Sequence, residues 1–179
     1  MPSLYDISVP VLTDTLKTVR GILRKGVDHA ASHNISDAAL LDARLAPDMS
    51  PLPNQIMIMH AVVGIFAEKV AGWPTTTRFD KLLSPYEGTV GGLFDLIDGA
   101  VRDLEAIKRD SVDGREETEF TFNIGKQVRR ANALDYVQKY SVPYLYFHLN
   151  ITYAILRQMG APLGKWDYLD VFQKSFPDA

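Results

Sequence analysis

The 179-residue chain contains no cysteine. That absence excludes a disulfide scaffold, thiolate zinc sites, cysteine nucleophiles and redox pairs of its own. Positive charge is also scarce, with 19 Lys plus Arg against 22 Asp plus Glu and a net charge of −3. Binding a phosphate backbone needs a basic face, and the only dense run is Lys126, Arg129 and Arg130, so no nucleic-acid partner is expected. Long apolar runs are missing as well. Gln55 to Ala67 is interrupted by His60 and flanked by Asn54 and Glu68, well short of the roughly 18 residues that span a bilayer, so no membrane partner is expected. The first residues carry Asp6 and Asp14 and no basic region followed by an apolar one, which predicts no secretory leader and a soluble, cytoplasmic protein. There is no Gly-rich phosphate loop, no Gly-x-Ser-x-Gly elbow and no His-Glu-x-x-His zinc helix.

What remains is 46% hydrophobic and 23% charged, ordinary values for one globular domain over residues 1–179. At this length a single core can bury roughly 70% of the surface of the unfolded chain. From Ser8, with Pro10 in the first turn, Val9, Leu12, Leu16, Val19, Leu23 and Val27 recur at helical spacing and predict a first helix ending near His33. Ser36 starts a short helical turn with Leu40 and Leu41 as its apolar face, and the Pro-rich stretch 46–53 then forces an extended connection across one end of a bundle. Ile56, Met59, Val63, Phe66 and Val70 mark a second long helix that stops at Gly72-Trp73-Pro74. Ser84-Pro85-Tyr86-Glu87 reads as a capping box that opens a third, whose stripe is Val90, Leu93, Ile97, Val101, Leu104 and Ile107.

Between Val112 and Arg130 the period falls to two, with Phe120, Phe122 and Ile124 on one side, and predicts a small β-hairpin. Asn132 caps a following turn. After Pro143 the stripe Leu145, Leu149, Thr152, Leu156 and Met159 makes a fourth long helix stopped by Gly160. Four helices, each apolar along one stripe, predict an all-α four-helix bundle with a hairpin before the last long helix. The tail from Lys165 to Leu169 has no periodicity that demands a helix, and its Trp166 and Tyr168 are expected to seal the bundle edge or a subunit contact.

No spacing here specifies a reaction. His60 and His148 each sit beside an apolar stripe and can point into the bundle, where such folds build metal sites. A metal needs at least three protein ligands, and the residue four before His148 is Tyr144 rather than histidine, so core-edge packing is favoured over ligation for both. His29 and His33, at i,i+4 in the last turn of the first helix, complement the helix dipole. Arg44 and Asp48 flank the Pro-rich loop, with Asp28, Asn54 and Gln55 at the same end, and a loop-fixing salt bridge is favoured there over ligand recognition. Of the aromatics on the last helix, Phe147 is assigned to the core, while Tyr144 and Tyr146 can orient a polar substrate.

With these segments placed, the chain resembles the DinB/YfiT-like helical-bundle superfamily, in a branch described only as a domain of unknown function. The stretches that carry the resemblance are Ser3 to Pro10, Ala43 to Met49, Tyr146-Phe147-His148, Ala154 to Arg157, and Gly160 to Leu169. The wider superfamily implies a divalent metal held by one histidine of the second helix and a His-x-x-x-His pair of the fourth, with transfer of low-molecular-weight thiols in some members. His148 matches the later histidine of that pair, His60 lies in the helix that supplies the other, and Tyr144 stands where the earlier one belongs. The leading expectation is a small-molecule-binding protein, or a metal-independent enzyme, with its pocket at one bundle end. His148 would be its proton donor or acceptor, on the strength of an unperturbed pKa near 6.5, and Tyr144 would orient it. Arg44, Asp48, Gln55 and Tyr146 would contact the ligand. The alternatives are a thiol-transferase-like enzyme with zinc, nickel or manganese on His60, His148 and a third ligand, and a homodimeric interaction module.

Overall fold

The computed structural model describes residues 2–73, 86–174 and 176. Helix α1 (Val9–Ser32) has Pro in its first turn and buries Val9, Leu12, Leu16, Val19, Ile22 and Leu23 along one stripe. Its end is closed by the His33 N–H, which donates to the carbonyls of His29 and Ala30. The short α2 (Asp37–Asp42) starts at Ser36, whose hydroxyl accepts from the Ala39 N–H at 3.2 Å. The irregular connection 43–51 leads to α3 (Leu52–Ile65), which runs on without a break into a π-helical turn, Phe66–Val70. A π turn carries one extra residue and spoils the regular i→i−4 ladder. Here the Val70 carbonyl is met by the Arg115 guanidinium at 2.7 Å, while Phe66 and Val70 are fully buried. Gly72 has φ +65, the left-handed conformation suited to a helix stop; the Pro74 expected to follow it lies outside the described residues.

Helix α4 (Val90–Ala106) starts later than the sequence suggests. Its cap is Thr89, whose hydroxyl accepts from the Gly92 N–H at 3.2 Å. Tyr86 and Glu87 are not helical, and Ser84 and Pro85 of the expected capping box lie outside the described residues. Tyr86 instead turns its hydroxyl onto the Thr89 carbonyl at 2.9 Å and so supports the cap that is used. Strands β1 (Glu119–Ile124) and β2 (Gln127–Asn132) pair antiparallel, Glu119 opposite Asn132 and Ile124 opposite Gln127. The basic run sits on this exposed ribbon, with Arg130 paired to Glu119.

Asn132 caps the next segment by accepting from the Asp135 N–H at 2.8 Å. Helix α5 (Ala133–Tyr136), a π turn (Val137–Ser141) and α6 (Val142–Gln158) then form one continuous helical run. Gly160, at φ +94, ends it. The tail is also helical: α7 (Lys165–Gln173) is the element that periodicity missed. It is set up by the Asp167 carboxylate, which accepts from the Gly164 N–H at 2.7 Å and pairs with Lys25 of α1. Docking on α1 supplies what a weak stripe does not. In α7 Tyr168 packs against the core, as expected, but Trp166 is 65% exposed and seals nothing within the chain.

In the bundle α1 packs on α4, α6 and α7, and α3 packs on α4 and α6, so α1 and α3 face one another across a diagonal. The core runs between the four long helices and includes Leu16, Phe66, Leu93 and Leu149. Phe147, assigned to the core from sequence, is 55% exposed. It stands two residues from both Leu145 and Leu149, which puts it roughly 200° around the helix from each. Among the described residues no helix is long and apolar enough to cross a membrane.

The N-terminal segment is clasped to the short segment that follows α4. Arg109 donates to Ser3 Oγ at 2.8 Å and to Asp6 at 2.6 Å, and its guanidinium lies 4.7 Å from the centre of the Tyr5 ring. The Tyr5 N–H donates to Asp113 at 2.9 Å. The Arg109 hydrogen bond holds the Asp6 carboxyl far below the usual carboxylate range, and the Tyr5 N–H lowers that of Asp113. A carboxyl depressed in the folded state stabilises above its unfolded pKa, and that contribution is lost as pH falls through the folded value. Arg109→Ala is therefore expected to lower Tm at neutral pH, with the gap to wild type closing below the ordinary Asp value of 3.8. Melting curves across that range check it, and a gap independent of pH would remove the clasp from the account.

Candidate functional site

Gln55 stands in the first turn of α3 and His148 in the middle of α6, where the two helices pack together. Both side chains are buried, Gln55 at 2% and His148 at 7% exposure. His148 Nδ1 and Gln55 Oε1 are 2.7 Å apart, and the Gln55 amide donates to the Ser50 carbonyl at 2.8 Å. The imidazole is thus tied through one side chain to the irregular loop before α3. Its Nε2 has no hydrogen-bond partner among the described residues. Burial lowers the His148 pKa from 6.5 to about 4, because an apolar surround disfavours the imidazolium. A pKa so lowered keeps the ring uncharged at neutral pH, which of the two expected roles, proton donor or acceptor, favours the acceptor.

Tyr144 does not orient this ring by a hydrogen bond. Its ring is tilted by 57° to that of His148 at a centroid distance of 5.3 Å and continues a ladder through Tyr140 at 4.6 Å to Tyr136 at a further 5.3 Å. These residues recur every four positions along the run from α5 to α6, which places them on one helix face. Phe147 meets the imidazole edge-on at 5.2 Å. Tyr146 belongs elsewhere: its ring neighbour is Phe172 of α7, at 6.2 Å.

The loop end of the molecule carries a depression of about 540 Å³ lined by Leu41, Arg44, Asp48, Met49, Asn54 and Tyr86, with Ser50 in its wall. Arg44 and Asp48 are brought to this common pocket but not to a salt bridge. Arg44 pairs with Asp42 instead, through a short contact at the end of α2, because the Pro-rich chain turns after Ala43 and leaves Asp42 nearer the guanidinium. The loop is fixed by Gln55 on the Ser50 carbonyl and by the Leu52 N–H on the Ala43 carbonyl at 2.8 Å. Sequence reasoning missed Tyr86, having placed it inside a helix, and missed Ser50, which contributes a backbone atom and therefore leaves no side-chain signal.

His60 lies on α3 and is half-buried; burial lowers its pKa, opposed by the charge of Asp103 on α4. Among the described residues no three His, Cys, Asp or Glu side chains converge. A divalent ion of the zinc class takes at least three such ligands, and the described donors around His60 and His148 do not by themselves supply them. His29 and His33 stack at 4.0 Å, with His33 Nδ1 3.0 Å from the His29 carbonyl, at the end of α1 as the dipole reading expects.

Among curated proteins none matches the chain. Its fold is similar to the crystal structure of a DinB family member protein from Shewanella denitrificans, with a TM-score of 0.77 over 93% of this chain and 91% of that one, at 24% identity. At that identity the likeness shows the fold alone. The pattern of the family described as "Domain of unknown function (DUF1993)" matches residues 4–169, nearly the whole bundle from the N-terminal clasp into α7, and the chain belongs to that family.

Proposed function

We propose that this protein binds a small polar molecule in the pocket at the α2–α3 end, with His148 as the uncharged acceptor behind the pocket wall. The observation that carries the reading is the hydrogen-bond chain from Ser50 in that wall through Gln55 to His148. Burying an imidazole and an amide costs free energy that a purely structural core avoids with apolar side chains. A pocket of about 540 Å³ is in the usual size range for small ligands, about 300–1,000 Å³. Arg44 and Asp48 offer it both signs of charge, and Leu41 and Met49 an apolar wall. The other large depression, between the N-terminal segment and the start of α6, is lined by Ile7, Val11, Val137 and Val142, and its one acid, Asp6, is already engaged by Arg109.

The test is a thermal-shift screen of the full chain against a panel of polar metabolites, repeated on Arg44→Ala and His148→Ala. Arg44 is exposed in part and, among the described residues, pairs with the exposed Asp42, so Arg44→Ala should melt like wild type without ligand. A panel member that raises the wild-type Tm is expected to lose most of its shift in Arg44→Ala and all of it in His148→Ala. Full shifts in both variants, or none across the panel in wild type, would sink the reading.

A further inference from the structure

The Gln55 amide is oriented by its two partners, and that orientation decides where the proton of His148 sits. The NH2 group faces the Ser50 carbonyl, which can only accept, at 2.8 Å. Rotating the amide by half a turn would set two carbonyl oxygens against each other in a buried place, which is strongly unfavourable. The carbonyl Oε1 is therefore the atom that meets His148 Nδ1 at 2.7 Å, and a carbonyl at that distance requires Nδ1 to carry the hydrogen. In a neutral imidazole the second nitrogen is then a bare lone pair.

We infer that Gln55 is a positioning residue that holds His148 as the Nδ1–H tautomer and thereby leaves Nε2 a bare lone pair that can only accept a hydrogen bond. The ring's neighbours on α6 are the rings of Tyr144 and Phe147. The tautomer does not rest on the binding reading above, since it is a property of the ligand-free chain.

Nitrogen-15 NMR of the full, uniformly labelled chain at neutral pH reads the tautomer directly. The expected pattern is a protonated Nδ1 and an unprotonated Nε2 at His148, with the Hδ1 proton close in space to the Gln55 side chain. Gln55→Leu removes the acceptor and is expected to lose the Nδ1–H signature. A protonated Nε2 in the wild type, or an unchanged Nδ1–H in Gln55→Leu, overturns the inference. If Gln55→Leu does not fold, the wild-type proximity between Hδ1 and Gln55 decides: its presence supports the assignment and its absence overturns it. A metabolite screen that finds no ligand leaves this spectrum unchanged, so the two failures are separable.

Discussion

Tyr136→Ala is expected to lower Tm by roughly 10 °C and to free the β1–β2 hairpin from the bundle. Tyr136 is fully buried at the start of the helical run that ends in α6. Its ring meets Phe122 edge-on at 4.8 Å and Phe120 at 5.2 Å, so both aromatic residues on the inner side of β1 rest on it. Truncating a buried aromatic costs about 3–5 kcal/mol, and for a chain of this size each kcal/mol moves Tm by roughly 2–4 °C. A two-stranded hairpin is marginal by itself in water, so losing this support exposes its amides. Hydrogen exchange should accelerate over β1 and β2 more than in α1. Tyr136→Phe is the control. The hydroxyl makes a long 3.4 Å contact to the Val62 carbonyl and lies beside the Ser141 side chain, and its removal should cost about 1 kcal/mol. Exchange that rises equally in α1 and the hairpin would mean that Tyr136 supports the bundle as a whole.

The second large effect is expected at Gly26, where α1 packs directly against Leu156 of α6. A Cβ there would lie 2.6 Å from one methyl of Leu156 and 2.9 Å from the other. Leu156 is itself fully buried, so a swing would press it against a close-packed core. Helix propensity alone favours Gly→Ala by about 1 kcal/mol, whereas overpacking costs typically 1–3 kcal/mol. We expect the overlap to win, with Gly26→Ala mildly destabilising and Gly26→Val destabilising by about 2–3 kcal/mol in chemical denaturation. The pair Gly26→Ala with Leu156→Ala should be more stable than the sum of the single losses, since the second change removes the clash. Strict additivity, or a Gly26→Ala chain that melts above wild type, would show that the helices are not held this closely.

These two sites differ in how visible they are before folding. Tyr136 follows a predicted hairpin whose inner side, Phe120 and Phe122, is marked by alternation with polar neighbours, so part of its surround is legible there. Gly26 carries no such signal, because a glycine inside a helical stripe looks like a propensity defect until the partner helix is known. The candidate site divides in the same way. Gln55, His148, Arg44 and Asp48 could be picked out as polar groups beside apolar stripes at one end of a bundle. That Gln55 meets His148 while Arg44 turns to Asp42 depends on loop geometry that no periodicity records. The perturbed state of His148 was equally hidden, since its pKa follows from burial.

The amino-acid sequence by itself determined the four apolar stripes, the Asn132 cap, the hairpin and the stop at Gly160, because each depends on neighbours within a few positions along the chain. Only the tertiary structure decided that the tail forms α7 against α1, and that Gln55 and His148, 93 positions apart, share one hydrogen bond. Those outcomes are contacts between segments distant in sequence, and their free energy exists only once the helices have packed.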